Sequence, residues 1–397
     1  MPDAATVDLP NLQLTDARSF LLPYFTPANN RRVRSINIGL AANGAPDELE
    51  GLLAGNFPKL HTLSLLCWEP EHYGLALSNP KDIIWVEALE ISRAPALTRV
   101  DLRNCLPPWN ANIYSQLTHL EIRIRGRNVL VSEQQRPTHE ALLSVITSMD
   151  AIEEIYLDVF PNYPNAGAEP EPVHVPSRCK LITLHTSDPN LNRHCCRLGA
   201  SFVLPPKVVF IIRQASGKDA ELAVRHFAGP SRPPSALSFN SGGDYRVDGT
   251  LCGQVTIPLN PARWLKKPEA LAERTPRGFV SIQFELYDVP DDIKEEYDDY
   301  CRYTMLESLC QVDFSEVKVL RIENIWEDRD ILRLFGVDES EGDVFDEKLL
   351  EPPILADATE VEVVVLTMEG YLPILADLLH AGRHPFPKFH TIHAPEM

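Results

Sequence analysis

The 397-residue sequence has no Cys-x-x-Cys pair, no Asn-x-Ser/Thr glycan acceptor and no apolar run near the ~18 residues that a bilayer span needs. Its start carries no basic stretch leading into an apolar one, so no secretory leader is expected. The eight cysteines, Cys67, Cys105, Cys179, Cys195, Cys196, Cys252, Cys301 and Cys310, are spread along a long chain and form no disulfide framework. These absences point to a reducing cytoplasmic or nuclear setting with no membrane partner.

Catalytic signatures are missing too. Neither G-x-x-x-x-G-K-[ST] nor G-x-G-x-x-G occurs, and the glycine-rich "NSGGDYRVDGTLCG" from Asn240 opens no helical pattern whose amides would hold a phosphate. G-x-S-x-G and H-E-x-x-H are absent. "NRHCCRLG" sets His194 beside Cys195 and Cys196, but adjacent residues on a helix point in different directions and free cysteine is usually buried packing. The late histidines His380, His384, His390 and His393 have no cysteine or shared helix to complete a zinc set. In the acidic "VDESEGDVFDE", Val337 falls where a calcium loop needs its first ligand. No catalytic residue, metal or cofactor is expected.

Charge of one sign is concentrated. Residues 284 to 370 hold 26 Asp and Glu against 7 Lys and Arg, which accounts for the whole net charge of −19. Such a field repels phosphates, so nucleic acid is not expected as a partner. The 34 prolines, clustered in places such as "LPPWN" and "PSRPPS", mark many loops of fixed shape.

What the chain does contain is a repeated phrase, aliphatic-x-x-aliphatic-x-aliphatic. It occurs at Val33/Ile36/Ile38, Leu60/Leu63/Leu65, Leu97/Val100/Leu102, Leu117/Leu120/Ile122 and Ile152/Ile155/Leu157, then again at Val317/Leu320/Ile322 and Val361/Val364/Leu366, with a final Phe389/Ile392. Starts fall roughly 20 to 45 residues apart, overlapping the leucine-rich-repeat range. Helical periodicity lies between them. Thr138 is placed to cap a helix presenting Leu142, Val145, Ile146 and Met149 on one face, with Glu140 in its first turn. "EDRDILRLFG" and "YLPILADLLHAG" each close on a glycine and predict two further helices.

Strand followed by helix, repeated, predicts a parallel sheet. Doubly wound strands read as continuous apolar runs, whereas here charged and polar residues alternate with the aliphatic ones. Arg99, Asp101 and Arg103 do so in one rung, His119, Glu121, Arg123 and Arg125 in the next, and Glu154, Tyr156 and Asp158 in a third. Burying them unpaired would cost several kcal/mol or more each. One sheet face is therefore expected to be wet, and these ten residues are the candidate protein-binding surface. In "VEVVVLTM", Val363 and Val365 take the wet positions, so that strand is expected to be covered, with the terminal segment as the candidate cover. The expected fold is α/β: an irregular leucine-rich-repeat-like solenoid over residues 1 to 397, a curved parallel sheet with helices on one side. Residues 200 to 290 form an irregular middle where "KVVFIIRQ", "QVTIPL" and "FVSIQFELYD" are strand-like without rung spacing.

The segments "FPKLHTLSLLCW", "APALTRVDLRNC" followed by "LPPWN", "YSQLTHLEIRIRG", "LLSVITSMDAIEEIYLDVF" and "FSEVKVLRIEN" resemble the F-box/leucine-rich-repeat-like proteins numerous in mushroom-forming fungi. The resemblance covers most of the chain and thins between 200 and 290. It implies substrate recognition for a ubiquitin ligase, with a cullin adaptor as partner where an F-box is present. The F-box is not visible before Val33, since "NLQLTDARSFLLPYF" is too short for it. Only the rung with Cys105 keeps the family's Asn/Cys ladder position. Residue reading thus favours a non-catalytic module binding a protein partner. It leaves open an α/β hydrolase or transferase with its site in the middle segment, and a structural or decaying family member without a ligase partner.

Overall fold

The structure is a computed structural model, and it describes residues 5–9, 26–41, 53–68, 84–85, 93–106, 108–110, 112–124, 136–161, 171–186, 191–213, 217–240, 244–246, 249–259, 278–286, 305–323, 334, 354–366, 376 and 386–393. The chain is an α/β protein with mostly parallel strand pairing and few helices. It divides into two compact units, Met1–His194 with Ser201–Pro205, and Cys195–Ala200 with Pro206–Met397.

In the first unit the strands are β1 (Ala5–Leu9), β2 (Val33–Ala41), β3 (Thr62–Trp68), β4 (Ile84–Trp85), β5 (Arg99–Arg103), β6 (Cys105–Leu106), β7 (His119–Arg123), β8 (Glu154–Leu157), β9 (Val173–His174), β10 (Leu181–Leu184) and β11 (Phe202–Val203). Its main sheet runs β1-β2-β3-β5-β7-β8-β10, every neighbouring pair parallel. β4 pairs with β6 and β9 with β11, apart from that sheet.

Register explains the repeated phrase. Ile36, Leu63, Val100, Leu120, Ile155 and Ile182 stand side by side in one row, and Ile38, Leu65, Leu102, Ile122, Leu157 and Leu184 in the next; all twelve are buried. No rung could bury its aliphatic side alone, so each depends on its neighbours for a core. The phrase also begins earlier than the sequence reading placed it. In five rungs a carbonyl three residues before the first core position closes a tight turn: Phe57 to Leu60, Ala94 to Leu97, Tyr114 to Leu117, Met149 to Ile152 and Pro176 to Cys179. One carbonyl of the preceding rung then takes two amides of the next, as Thr98 O does from Thr118 and His119, and Thr118 O from Glu153 and Glu154. These bonds pin the entry of each strand to the rung before it.

The helix His139–Ser148 (α1) starts where the sequence predicts. Thr138 Oγ1 accepts from the amide of Ala141 at 3.1 Å, Glu140 lies in the first turn, and Leu142, Val145 and Ile146 face inward. The other two predicted helices fall on residues outside the described set, apart from Leu334 and Ala376.

The second unit contains β12 (Val209–Arg213), β13 (Ala236–Asn240), β14 (Asp244–Arg246), β15 (Gly249–Pro258), β16 (Phe279–Leu286), β17 (Val319–Glu323), β18 (Val363–Leu366) and β19 (Thr391–His393). Their order is β12-β16-β15-β13-β17-β18-β19, with β14 beside β15. In the irregular middle the parallel pairing is broken by one strand: β15 runs antiparallel to both β13 and β16. All three strand-like segments of the middle region are strands. The turn into β16 needs glycine, because Gly278 has φ +75° and an added Cβ would lie 2.3 Å from the carbonyl oxygen of Pro206.

Rung geometry resumes at β17, where the amides of Lys318 and Val319 share Ser235 O, and again at β18, where those of Glu362 and Val363 share Lys318 O. Ala236, Val319 and Val365 form a second buried cluster with the half-buried Val363 packed against it, so of the two valines expected to be covered Val365 is buried and Val363 only in part. The terminal segment does not supply that cover through β19, which pairs edge-on with β18. The helix Asn192–Ser201 (α2) buries both Cys195 and Cys196, and Gly199 lies close enough to β12 that a Cβ would meet Ile212 Cδ1 at 2.6 Å.

Candidate functional site

The side chains opposite the aliphatic rows of the first unit also form rows. Arg99, His119 and Glu154 are lateral neighbours, Asp101, Glu121 and Tyr156 make the next row, and Arg103 faces Arg123 beyond them. All eight are exposed or half-buried, as period-two alternation requires when one face packs and the other does not. Arg99 and Glu154 are the most open.

These side chains hold one another. Arg103 clamps Asp101 with two hydrogen bonds, Nε to Oδ1 at 3.3 Å and Nη2 to Oδ2 at 3.2 Å, and its Nη2 also lies 3.6 Å from Glu121 Oε1. Arg123 Nε pairs with the same Glu121 oxygen. The Arg123 guanidinium then covers the Tyr156 ring, 4.4 Å from its centroid, and Tyr156 packs against His185 at 5.9 Å between ring centroids. The contacts therefore run without a break through Asp101, Arg103, Glu121, Arg123, Tyr156 and His185, across β5, β7, β8 and the end of β10. Nearby, His119 Nε2 faces Glu154 Oε1 at 3.8 Å. Thr118 Oγ1 donates to Thr98 O at 3.1 Å, so its lone pair is what His119 Nδ1, 2.8 Å away, can donate to.

An exposed ion pair contributes only about 0 to 1 kcal/mol, so these bridges do little for stability. Their effect is geometric: three arginines and three carboxylates on the face cancel, and linked long side chains lose the rotamer freedom a partner would otherwise have to remove.

Asp158 does not belong on that surface. β8 ends at Leu157, and the next side chain turns into the protein with 1% of its surface exposed. Its Oδ2 accepts the amide of Ile124 at 3.0 Å and its Oδ1 lies 2.7 Å from His185 Nδ1. Arg125 lies outside the described residues. His185, absent from the sequence-based candidates, is the residue the structure adds. Trp109 is buried and stacks on Tyr114 with ring planes 4° apart. Among the described residues the Tyr114 hydroxyl has no hydrogen-bond partner, and burial pushes its pKa far up.

Among the described residues no group of three or more His, Cys, Asp and Glu is placed to hold a metal ion, and no helix is long and apolar enough to cross a membrane. No family model, curated protein or solved structure matches the chain.

Proposed function

We propose that the chain is a non-catalytic protein-binding module, an irregular leucine-rich-repeat-like solenoid whose polar rung face in the first unit takes a protein partner. The observation that carries this reading is the continuous contact chain from Asp101 to Tyr156, backed by the buried His185: a charge-balanced, half-exposed polar surface contributed by successive rungs. Convergence of side chains from stacked repeats onto one ligand is how such sheets bind. Tyr156 under Arg123 supplies the aromatic and guanidinium contact area that dominates binding energy at protein interfaces.

The resemblance to F-box/leucine-rich-repeat-like proteins extends the reading to substrate recognition for a ubiquitin ligase. Cys105, at the family's ladder position, supports it: its Sγ donates to the carbonyl of Leu65 on the preceding rung, 3.7 Å away.

The experiment compares proteins captured by the wild-type full chain with those captured by R99E/E154K and by Y156A. A genuine partner is recovered by wild type and lost with Y156A, while a variant at Leu222, exposed in the second unit, leaves recovery unchanged. Equal recovery by all variants rejects the face. Failure to recover a cullin adaptor with the full-length product rejects the ligase extension alone.

A further inference from the structure

We propose that Asp158 is a positioning residue for the rung face: its buried carboxylate clasps three successive rungs and thereby sets the platform of Tyr156 and Arg123. This rests on the reading of that face as the binding surface. Asp158 itself follows β8. Its Oδ2 accepts the amide of Ile124 as the chain leaves β7, at 3.0 Å, and its Oδ1 takes His185 Nδ1 as the chain leaves β10, at 2.7 Å. The two donors come from the rungs on either side.

A carboxylate fixes one His185 tautomer at this place and its amide would not. An ionised Asp accepts at both oxygens, so it serves two donors that approach from opposite sides. An Asn offers one acceptor oxygen; with it on the Ile124 amide, its NH2 would face His185 Nδ1 and require the ring proton to move to Nε2. The carboxylate also sets the imidazole: Nδ1 must carry the proton, and the ring plane follows from that bond. The His185 ring is what Tyr156 packs against, at 5.9 Å and 42°, and Tyr156 is what Arg123 covers at 4.4 Å. With Asp158 side chain at 1% exposure and His185 at 8%, the clasp is protected from solvent while the residue it supports is presented to it.

The test is NMR on the full chain with 15N-labelled histidine and 13C-labelled arginine. Wild type should show His185 protonated at Nδ1, and Arg123 δ protons shifted upfield by the Tyr156 ring. Asp158→Ala should melt cooperatively while losing both signatures, and Asp158→Asn should move the His185 proton to Nε2. His185→Phe, which keeps a ring but removes the donor, should lose the Arg123 shift. A His185 proton residing on Nε2 in the wild-type chain overturns the proposal without any variant, as does an Arg123 shift unchanged in Asp158→Ala or His185→Phe. Partner capture is not read here, so loss of the clasp and loss of the binding surface are separate outcomes.

Discussion

The guanidinium carbon of Arg123 lies 4.4 Å from the centroid of the Tyr156 ring, reaching from one strand to the next on the half-exposed side of the sheet. A cation over an aromatic face at this exposure is worth about 0.5–1 kcal/mol. A double-mutant cycle with R123M, Y156L and the pair, read by urea denaturation, should return a coupling of that size. A coupling indistinguishable from zero would mean the two side chains do not hold each other in solution.

The two faces of β7 should differ sharply in their response to truncation. Leu120 is buried in the aliphatic row, so Leu120→Ala should cost roughly 2–5 kcal/mol through lost transfer energy and the cavity left behind. Glu121→Ala, one residue on, gives up half-exposed ion pairs and should cost about 1 kcal/mol or less. Equal costs at the two positions would contradict the alternation.

Lys180 holds Glu153 below the usual carboxylate range, first by a hydrogen bond and then by its charge. A depressed carboxylate favours folding above its unfolded pKa, and that contribution disappears as pH falls through the folded value. Lys180→Ala should therefore move the Glu153 titration, followed by carboxyl 13C shift, upward toward the ordinary value near ~4.3. No movement would show that the pair is not formed in solution.

Burial pushes the Cys179 thiol up to about 12, whereas Cys310 is exposed. Since the thiolate is the reacting form, iodoacetamide at pH 8 should modify Cys310 and leave Cys179 intact in the folded chain, as peptide mapping would show. Early labelling of Cys179 would place it outside the core.

Cys179 also shows what the sequence hid. Five rungs of the first unit are legible because aliphatic residues occupy all three positions of the phrase. The sixth, Cys179/Ile182/Leu184, was missed because a cysteine stands first, although it packs there as a small hydrophobe. The helix at Thr138 was legible because cap, first-turn acid and apolar spacing agree. Asp158 was misplaced because the alternation was extended one residue past the end of β8, where the backbone turns and the demand for an acceptor by Ile124 and His185 decides the direction. The middle segment showed its strands but not their partners. β12 pairs with β16 and the reversed β15 lies between β16 and β13, and pairings over such separations are set by tertiary contacts, not by local spacing.

The most direct check of the binding face is site-specific photo-crosslinking, with a benzophenone amino acid in place of Tyr156 and, as control, of Leu222. The account predicts one discrete protein adduct at position 156 that is abolished by adding R99E/E154K and has no counterpart at position 222. The same adducts at both positions, or adducts at 156 indifferent to those substitutions, would contradict it.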